Sequence, residues 1–394
     1  MPDGVDPLLL LPYGDLRSVR ALATAQEDHR MQTNNLPTVE LETKPDFNRC
    51  MERIYAWYEG EVLDRPPVRF YGHNADFESA AQADRGWGSL KQRWFDAQFQ
   101  VDAFEAGLDG APLLGETFPV FWPNLGPEVY AAFFGMQLHY GETTSWATHM
   151  IDDLAMIDDL AIDWDNEYLR GIDAITDEAL ARCGRRFLVG YTDLHPGIDC
   201  AASLRGSAQL CLDFYDNPDR AKQLFEVAVR DFEAVYNHFD SKLKSHGQLS
   251  VSWKHVPSFG RMHIPTADFS SLISPEQFRE FCLPVHAREI QTMDHNVYHV
   301  DGPQVARHLD HLLELDGIQA YQWVQGVGEN YPIMQWVDII RKIRSRGKSL
   351  IIDLALEDLE PFMQEFRPEG FFLWVGTADE TEQHEVLRRL KQWT

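Results

Sequence analysis

Two patterns of apolar residues alternate along this chain. Short apolar runs closed by glycine, proline or an acid alternate with longer stretches whose apolar positions recur every three or four residues. The short runs predict strands at Val68–Tyr71, Pro112–Glu116, Phe187–Tyr191, Leu249–Trp253, Val297–His299, Ile318–Trp323, Leu350–Leu354 and Phe371–Val375. The periodic stretches predict helices at Asp46–Leu63, Ser89–Leu108, Glu167–Cys183, Pro218–His246, Pro275–His295, Gln304–Leu313, Ile333–Ser345, Asp358–Phe366 and Thr381–Trp393. Strands alternating with helices in this way predict an α/β fold, a parallel (β/α)8 TIM barrel. An open doubly wound sheet would show the same local pattern but carries a Gly-rich phosphate loop, and neither GxGxxG nor GxxxxGK[ST] is present.

Two segments fall outside the rhythm. Residues 1–45 are polar with an apolar patch at Leu8–Leu11 and a candidate helix at Ala21–Gln32, an N-terminal extension to a single barrel domain over 46–394. Residues 117–165 are too long for one connection and predict an insertion after the second strand, a lid or wall over one mouth of the barrel.

Composition narrows the function classes. The formal charge of −27 argues against nucleic acid and anionic membranes as partners. No apolar run reaches the length of a membrane span and no basic leader opens the chain, so a cytoplasmic protein is expected. Its five cysteines lack CxxC spacing and read as reduced, buried thiols.

Candidate chemistry lies at the predicted C-terminal ends of the strands, where barrel enzymes build their sites. The fifth candidate strand runs Val297-Tyr298-His299-Val300-Asp301-Gly302-Pro303. Residues i and i+2 of a strand share a face, so His299 and Asp301 project together. The bland alternative is that the two bond each other and cap the following helix. Earlier ends offer His73 and Asn74, Glu116, Asp193 and His195, then Trp253 and His255; later ones offer Gln322, Trp323 and Asp353. Imidazole with carboxylates suits a divalent metal such as zinc, with Glu116, His299 and Asp301 as the ligand set. Asp193, His195, His255 and Asp301 are the candidate acid–base groups. His73, Asn74, Trp253, Gln322 and Trp323 are candidate substrate contacts. No GxSxG elbow points to a covalent acyl-enzyme.

Longer motifs carry a resemblance. The run from Ala267 to Phe281 (ADFSSLISPEQFREF) with Leu283-Pro284, then Tyr298-His299-Val300-Asp301-Gly302, resembles the uroporphyrinogen decarboxylase-like superfamily. Ser203-Leu204-Arg205-Gly206 and Phe214-Tyr215-Asp216-Asn217-Pro218 are similar to that group's segment after the third strand, and the likeness covers residues 185–380. It implies a TIM barrel and two alternatives. The decarboxylase branch grips a porphyrinogen through an early Arg-Gln-Ala-Gly-Arg segment, where this chain reads Arg69-Phe70-Tyr71-Gly72-His73-Asn74-Ala75. The methyltransferase branch works with corrinoid proteins and thiols and binds zinc through a His-x-Cys pair and a later cysteine. Here His299 matches the histidine, Asp301 stands at the first cysteine, and no cysteine follows Cys282.

The expectation drawn from residues and resemblance together is a metal-dependent, methyltransferase-type enzyme acting on a small organic substrate. A corrinoid protein or thiol would be its co-substrate, and a homodimer its assembly. The alternatives are a metal-free decarboxylase or lyase on a carboxylated, tetrapyrrole-like substrate, and a non-catalytic ligand-binding barrel.

Overall fold

A computed structural model describes residues 36–71 and 85–393. In chain order its strands are β1 (Val68–Tyr71), β2 (Val120–Phe121), β3 (Leu138–Tyr140), β4 (Ser145–Ala147), β5 (Leu188–Val189), β6 (Ser250–Val251), β7 (Pro257–Ser258), β8 (Met262–His263), β9 (His295–Asp301), β10 (Ala320–Val324), β11 (Ser349–Leu354) and β12 (Phe371–Gly376). Six of them, in the order β1-β12-β11-β10-β9-β8, form a parallel sheet curled into half a barrel. β2 and β5 pair in parallel, while β3–β4 and β6–β7 are antiparallel. Backbone bonds continue outward from these pairs. Glu116 N donates to Val68 O at 2.6 Å beside β1, and Tyr191 N donates to Val251 O at 3.1 Å between β5 and β6.

The sheet follows the alternation expected of strands. Register aligns His299 with Gln322, Gln322 with Ile351, Asp353 with Trp374, and Trp374 with Arg69. These side chains share the concave face. Their sequence neighbours Tyr298, Tyr321 and Trp323 are buried on the convex face, against helical segments: Tyr298 OH meets His286 Nε2 at 3.0 Å, Tyr321 OH donates to Leu312 O at 2.8 Å, and the Trp323 ring lies 5.3 Å from Trp336. With both faces covered, the central strands read as nearly continuous apolar runs.

The helix Phe47–Tyr58 buries eight side chains and closes the N-terminal end of the sheet. Trp57 Nε1 donates to Leu350 O at 3.1 Å, Ser349 Oγ donates to Trp57 O at 2.5 Å, and Tyr58 stacks on His295 at 4.0 Å. All three contacts are to the first residues of strands, so this helix leaves the opposite strand ends uncovered. Residues 40–44 also pack on this unit, through Glu42 N to Arg185 O at 2.7 Å and Lys44 Nζ to Leu113 O at 2.6 Å. The expected N-terminal features at Leu8–Leu11 and Ala21–Gln32 lie outside the described residues.

One predicted strand is absent. Residues 112–116 form no ladder; Gly115 turns at φ +58°, so close to β1 that a Cβ there would lie 2.4 Å from Val68 O. The second strand comes later, at Val120–Phe121, and Glu116 therefore precedes it instead of ending it. The expected insertion contains a short helix Val129–Ala132, the β3–β4 hairpin and a 3-10 stretch Leu154–Asp159. It packs on the helix Ile198–Arg205, with Met150 N and Ile151 N both donating to Leu204 O at 2.9 Å. Among the described residues no helix is long and apolar enough to cross a membrane.

Candidate functional site

β9 ends where Gly302 takes φ +80° and starts the helix Gly302–Ala306, with Pro303 in its first turn. The turn leaves His299 nearly buried and Asp301 exposed on the concave face. The bland reading of this pair fails on both counts. His299 Nδ1 bonds Gln322 Oε1 at 2.8 Å, and Asp301 makes no capping bond to the helix it precedes. Because Gln322 Oε1 can only accept, Nδ1 carries the proton and Nε2 keeps its lone pair.

A third group joins them from a loop after β8. Asp268, His299 and Asp301 each bring a ligand atom within 4.8 Å of the others, the one such group of three among the described residues. Asp268 is placed by Asp199, whose carboxylate accepts from Asp268 N at 3.2 Å, from Phe269 N at 3.1 Å and from the Thr266 hydroxyl. Asp268 is exposed like Asp301; partial desolvation, then the charges of Asp199 and Asp301, raise its carboxyl above the ordinary carboxylate range. Burial and the nearby Lys254 ammonium hold His299 below its ordinary range, so its imidazole is neutral at pH 7. One imidazole and two carboxylates, with a bonded partner behind the histidine, fit a divalent ion that accepts nitrogen and oxygen donors.

Glu116, expected as a ligand, is elsewhere. It lies fully buried at the opposite, N-terminal end, where Arg65 Nη1 and Nη2 reach its oxygens at 2.7 and 3.0 Å, Arg53 Nη1 at 3.1 Å and Val68 N at 2.7 Å. Every strong acceptor position is taken, and the glutamate's work there is to neutralise two arginines. Trp323 is likewise displaced, because one step along β10 turns it away from Gln322 to the convex face. His73 and Asn74 lie outside the described residues.

The remaining candidates gather around a tryptophan. The Trp253 ring centre lies 5.4 Å from that of His299 and 5.8 Å from that of His195, both edge to face. Asp193 Oδ1 is 3.9 Å from His195 Nε2. Asp193 caps no helix, since the next begins at Ile198, and its Oδ1 and His195 Nδ1 are buried without a hydrogen-bond partner among the described residues. Burial drives the Asp193 carboxyl up to about 8, against the pull of Lys254. Burial, followed by His299 and Lys254, drives His195 down to about 3. At neutral pH this pair is an uncharged acid beside an uncharged base.

His255 lies farther along the same loop at φ +58°, a left-handed conformation uncommon outside glycine. Its Nδ1 meets Arg69 Nη2 at 3.1 Å, while Arg69 Nη1 donates to Lys254 O at 2.8 Å. Burial and the two neighbouring cations push the His255 imidazole well down. Lys254 Nζ sits 4.1 Å from the Trp253 ring centre and 5.6 Å from that of Trp374. Burial lowers its ammonium to about 8, with Asp353 opposing and Arg69 adding to the effect. Sequence reasoning left Asp268, Asp199 and Lys254 out of its site. The motif Ala267-Asp268-Phe269 was visible, but no strand pattern marked it as an element end.

No family model matches this sequence, and comparison with curated proteins finds no relative. Solved structures do share the fold. A methyltransferase from Methanosarcina mazei superposes with a TM-score of 0.60 over 87% of this chain and 98% of its own, at 13% sequence identity. At that identity the likeness speaks for the fold.

Proposed function

We propose that this chain is a metal-dependent enzyme of the methyltransferase type, built on a closed eight-position barrel and acting on a small organic molecule. The observation that carries the reading is the Asp268–His299–Asp301 trio at the C-terminal end of the sheet. The fold neighbour named as a methyltransferase supports the class, and the backbone bonds from β1 to the segment before β2, and from β5 to β6, support closure. The carboxy-lyase alternative draws no support from that neighbour.

A divalent ion held by the trio would supply Lewis acidity, or lower the pKa of an accepting nucleophile. The chain's own residues do the rest. Gln322 fixes the His299 tautomer, and Asp199 holds the loop that carries Asp268. Trp253 packs edge to face between His299 and His195 and separates their rings. Asp193 holds a proton near neutral pH that it can donate to a reacting group, while His195 stays an uncharged imidazole beside it. The corrinoid or thiol co-substrate belongs to this same reading, as the donor or acceptor of the methyl group.

The test is elemental analysis of tag-free protein after zinc loading, beside His299→Ala and Asp268→Ala. Near-stoichiometric zinc in the wild type and its loss from both variants is the expected result. Metal retained by both variants, or bound by none of the three proteins, overturns the reading.

A further inference from the structure

We propose that the pocket contains an oxyanion subsite centred on Lys254, and that the substrate carries a carboxylate or a similar acid group. The inference rests on the function proposed above only for where the substrate's reacting end lies.

The ammonium is unpaired in a way its counterparts are not. Other partly or fully buried lysines have oxygen partners: Lys44 reaches Asp46 at 2.7 Å, Lys242 reaches Asp173 at 2.6 Å, and Lys348 reaches Ile318 O at 2.7 Å. Among the described residues Lys254 Nζ has no hydrogen-bond acceptor and no ion pair, only the indole faces of Trp253 and Trp374. Its neighbour Arg69 lies over the same Trp374 ring at 4.7 Å and makes no ion pair with a described carboxylate either. Asp353 faces both cations from β11 without contacting either as an ion pair.

Two cations thus share one aromatic wall with no bonded counter-charge. A half-buried ammonium is donor-only; the indole faces offset part of its desolvation, and an acceptor, best a charged one, offsets the rest. Its place is not accidental. Arg69 bonds the Lys254 carbonyl, and His255 N donates to Ser252 O at 2.8 Å, so the loop is locked while the Nζ stays free. Asp193, within electrostatic reach of the ammonium, has its Oδ1 buried without a partner among the described residues. A carboxyl that keeps its proton is a second donor for an incoming anion. The indole faces suit a flat organic acid, since they offer apolar contact on either side of the charged group.

The strongly acidic chain makes this placement informative. Arg261 pairs with Glu233 at 3.2 Å, whereas Arg69 and Lys254 lie together over the Trp374 ring. They place two positive charges together in a protein whose formal charge is −27, with Asp353, Asp193 and Asp301 in electrostatic reach.

The test compares benzoate with benzamide, two probes of one shape and different charge. Saturation-transfer NMR on metal-free full-length protein gives their affinities for the wild type, Lys254→Met and Lys254→Arg. Benzoate is expected to bind about tenfold more tightly than benzamide, as for one charge-assisted hydrogen bond. Lys254→Met removes that preference and Lys254→Arg restores most of it. If Lys254→Met does not fold, Lys254→Gln takes its place. Equal affinities in the wild type, or a preference that survives loss of the ammonium, overturns the proposal. Because the probes need no metal, failure here is separate from failure of the metal reading, which shows as missing zinc.

Discussion

His299 on β9 donates its Nδ1 proton to Gln322 Oε1 on β10 across 2.8 Å, and the two residues are direct partners in the strand register. The bond fixes the ring's rotation and its tautomer, leaving the Nε2 lone pair for the proposed metal. Replacing Gln322 by Leu removes the acceptor without changing the ligands. Zinc affinity, measured by chelator competition, is expected to fall by about 10–100-fold, the usual effect of losing a partner behind a metal-bound histidine. An unchanged affinity means that the ring is oriented by packing against Trp253.

Asp199 touches none of the proposed ligands through its own side chain beyond the Asp268 backbone, yet it shapes the loop. Asp199→Ala leaves Asp268 N, Phe269 N and the Thr266 hydroxyl without their acceptor. Urea titration should show a loss of about 1–3 kcal/mol. Zinc affinity should fall with it, because Asp268 is no longer held beside Asp301. Loss of stability with intact zinc binding would show that Asp268 is not a ligand.

Glu116 provides the opposite case. Removing its carboxylate in Glu116→Ala leaves Arg65, nearly buried, without its counter-charge. The expected cost is about 3–5 kcal/mol by chemical denaturation, typical of breaking a buried pair by removing one partner. Zinc content should not change, since the residue lies at the far end of the strands.

Asp193 predicts a pH dependence. Its unfolded value is the ordinary 3.8 and its folded value is about 8. Between these the folded state binds a proton that the unfolded state has released, so this group's contribution to stability falls as pH rises. The contribution is full below about 4 and gone above about 8. Asp193→Asn cannot titrate, so the wild type should lose stability relative to the variant from pH 5 to pH 9 in urea melts. A constant difference across that range would mean that Asp193 is ionised in the folded protein.

The pattern of short apolar runs and breakers was enough to locate β1 to the residue, where Pro66-Pro67 and Gly72 bound it, and β11 and β12 to within one residue, because these two are mostly buried parallel strands. It also placed the helix Glu167–Cys183, whose ends carry clear start and stop residues. The His299/Asp301 pair was legible for the same reason: a two-residue period puts both on one face whatever surrounds them. The second strand was not. An apolar run at 112–116 competes with Val120–Phe121, and Gly115's turn against Val68 O is a contact between distant segments. With that error went Glu116, which moved from the active end to the buried arginines. Which of Gln322 and Trp323 faced the pocket depended on register with β9, a pairing that no local pattern encodes. Sequence by itself determined the class of fold and put His299 and Asp301 on one face at the end of a strand. Tertiary structure decided that Asp268 joins them, which groups hold its loop, and that Lys254 has no bonded partner among the described residues, because each depends on side chains brought together from remote parts of the chain.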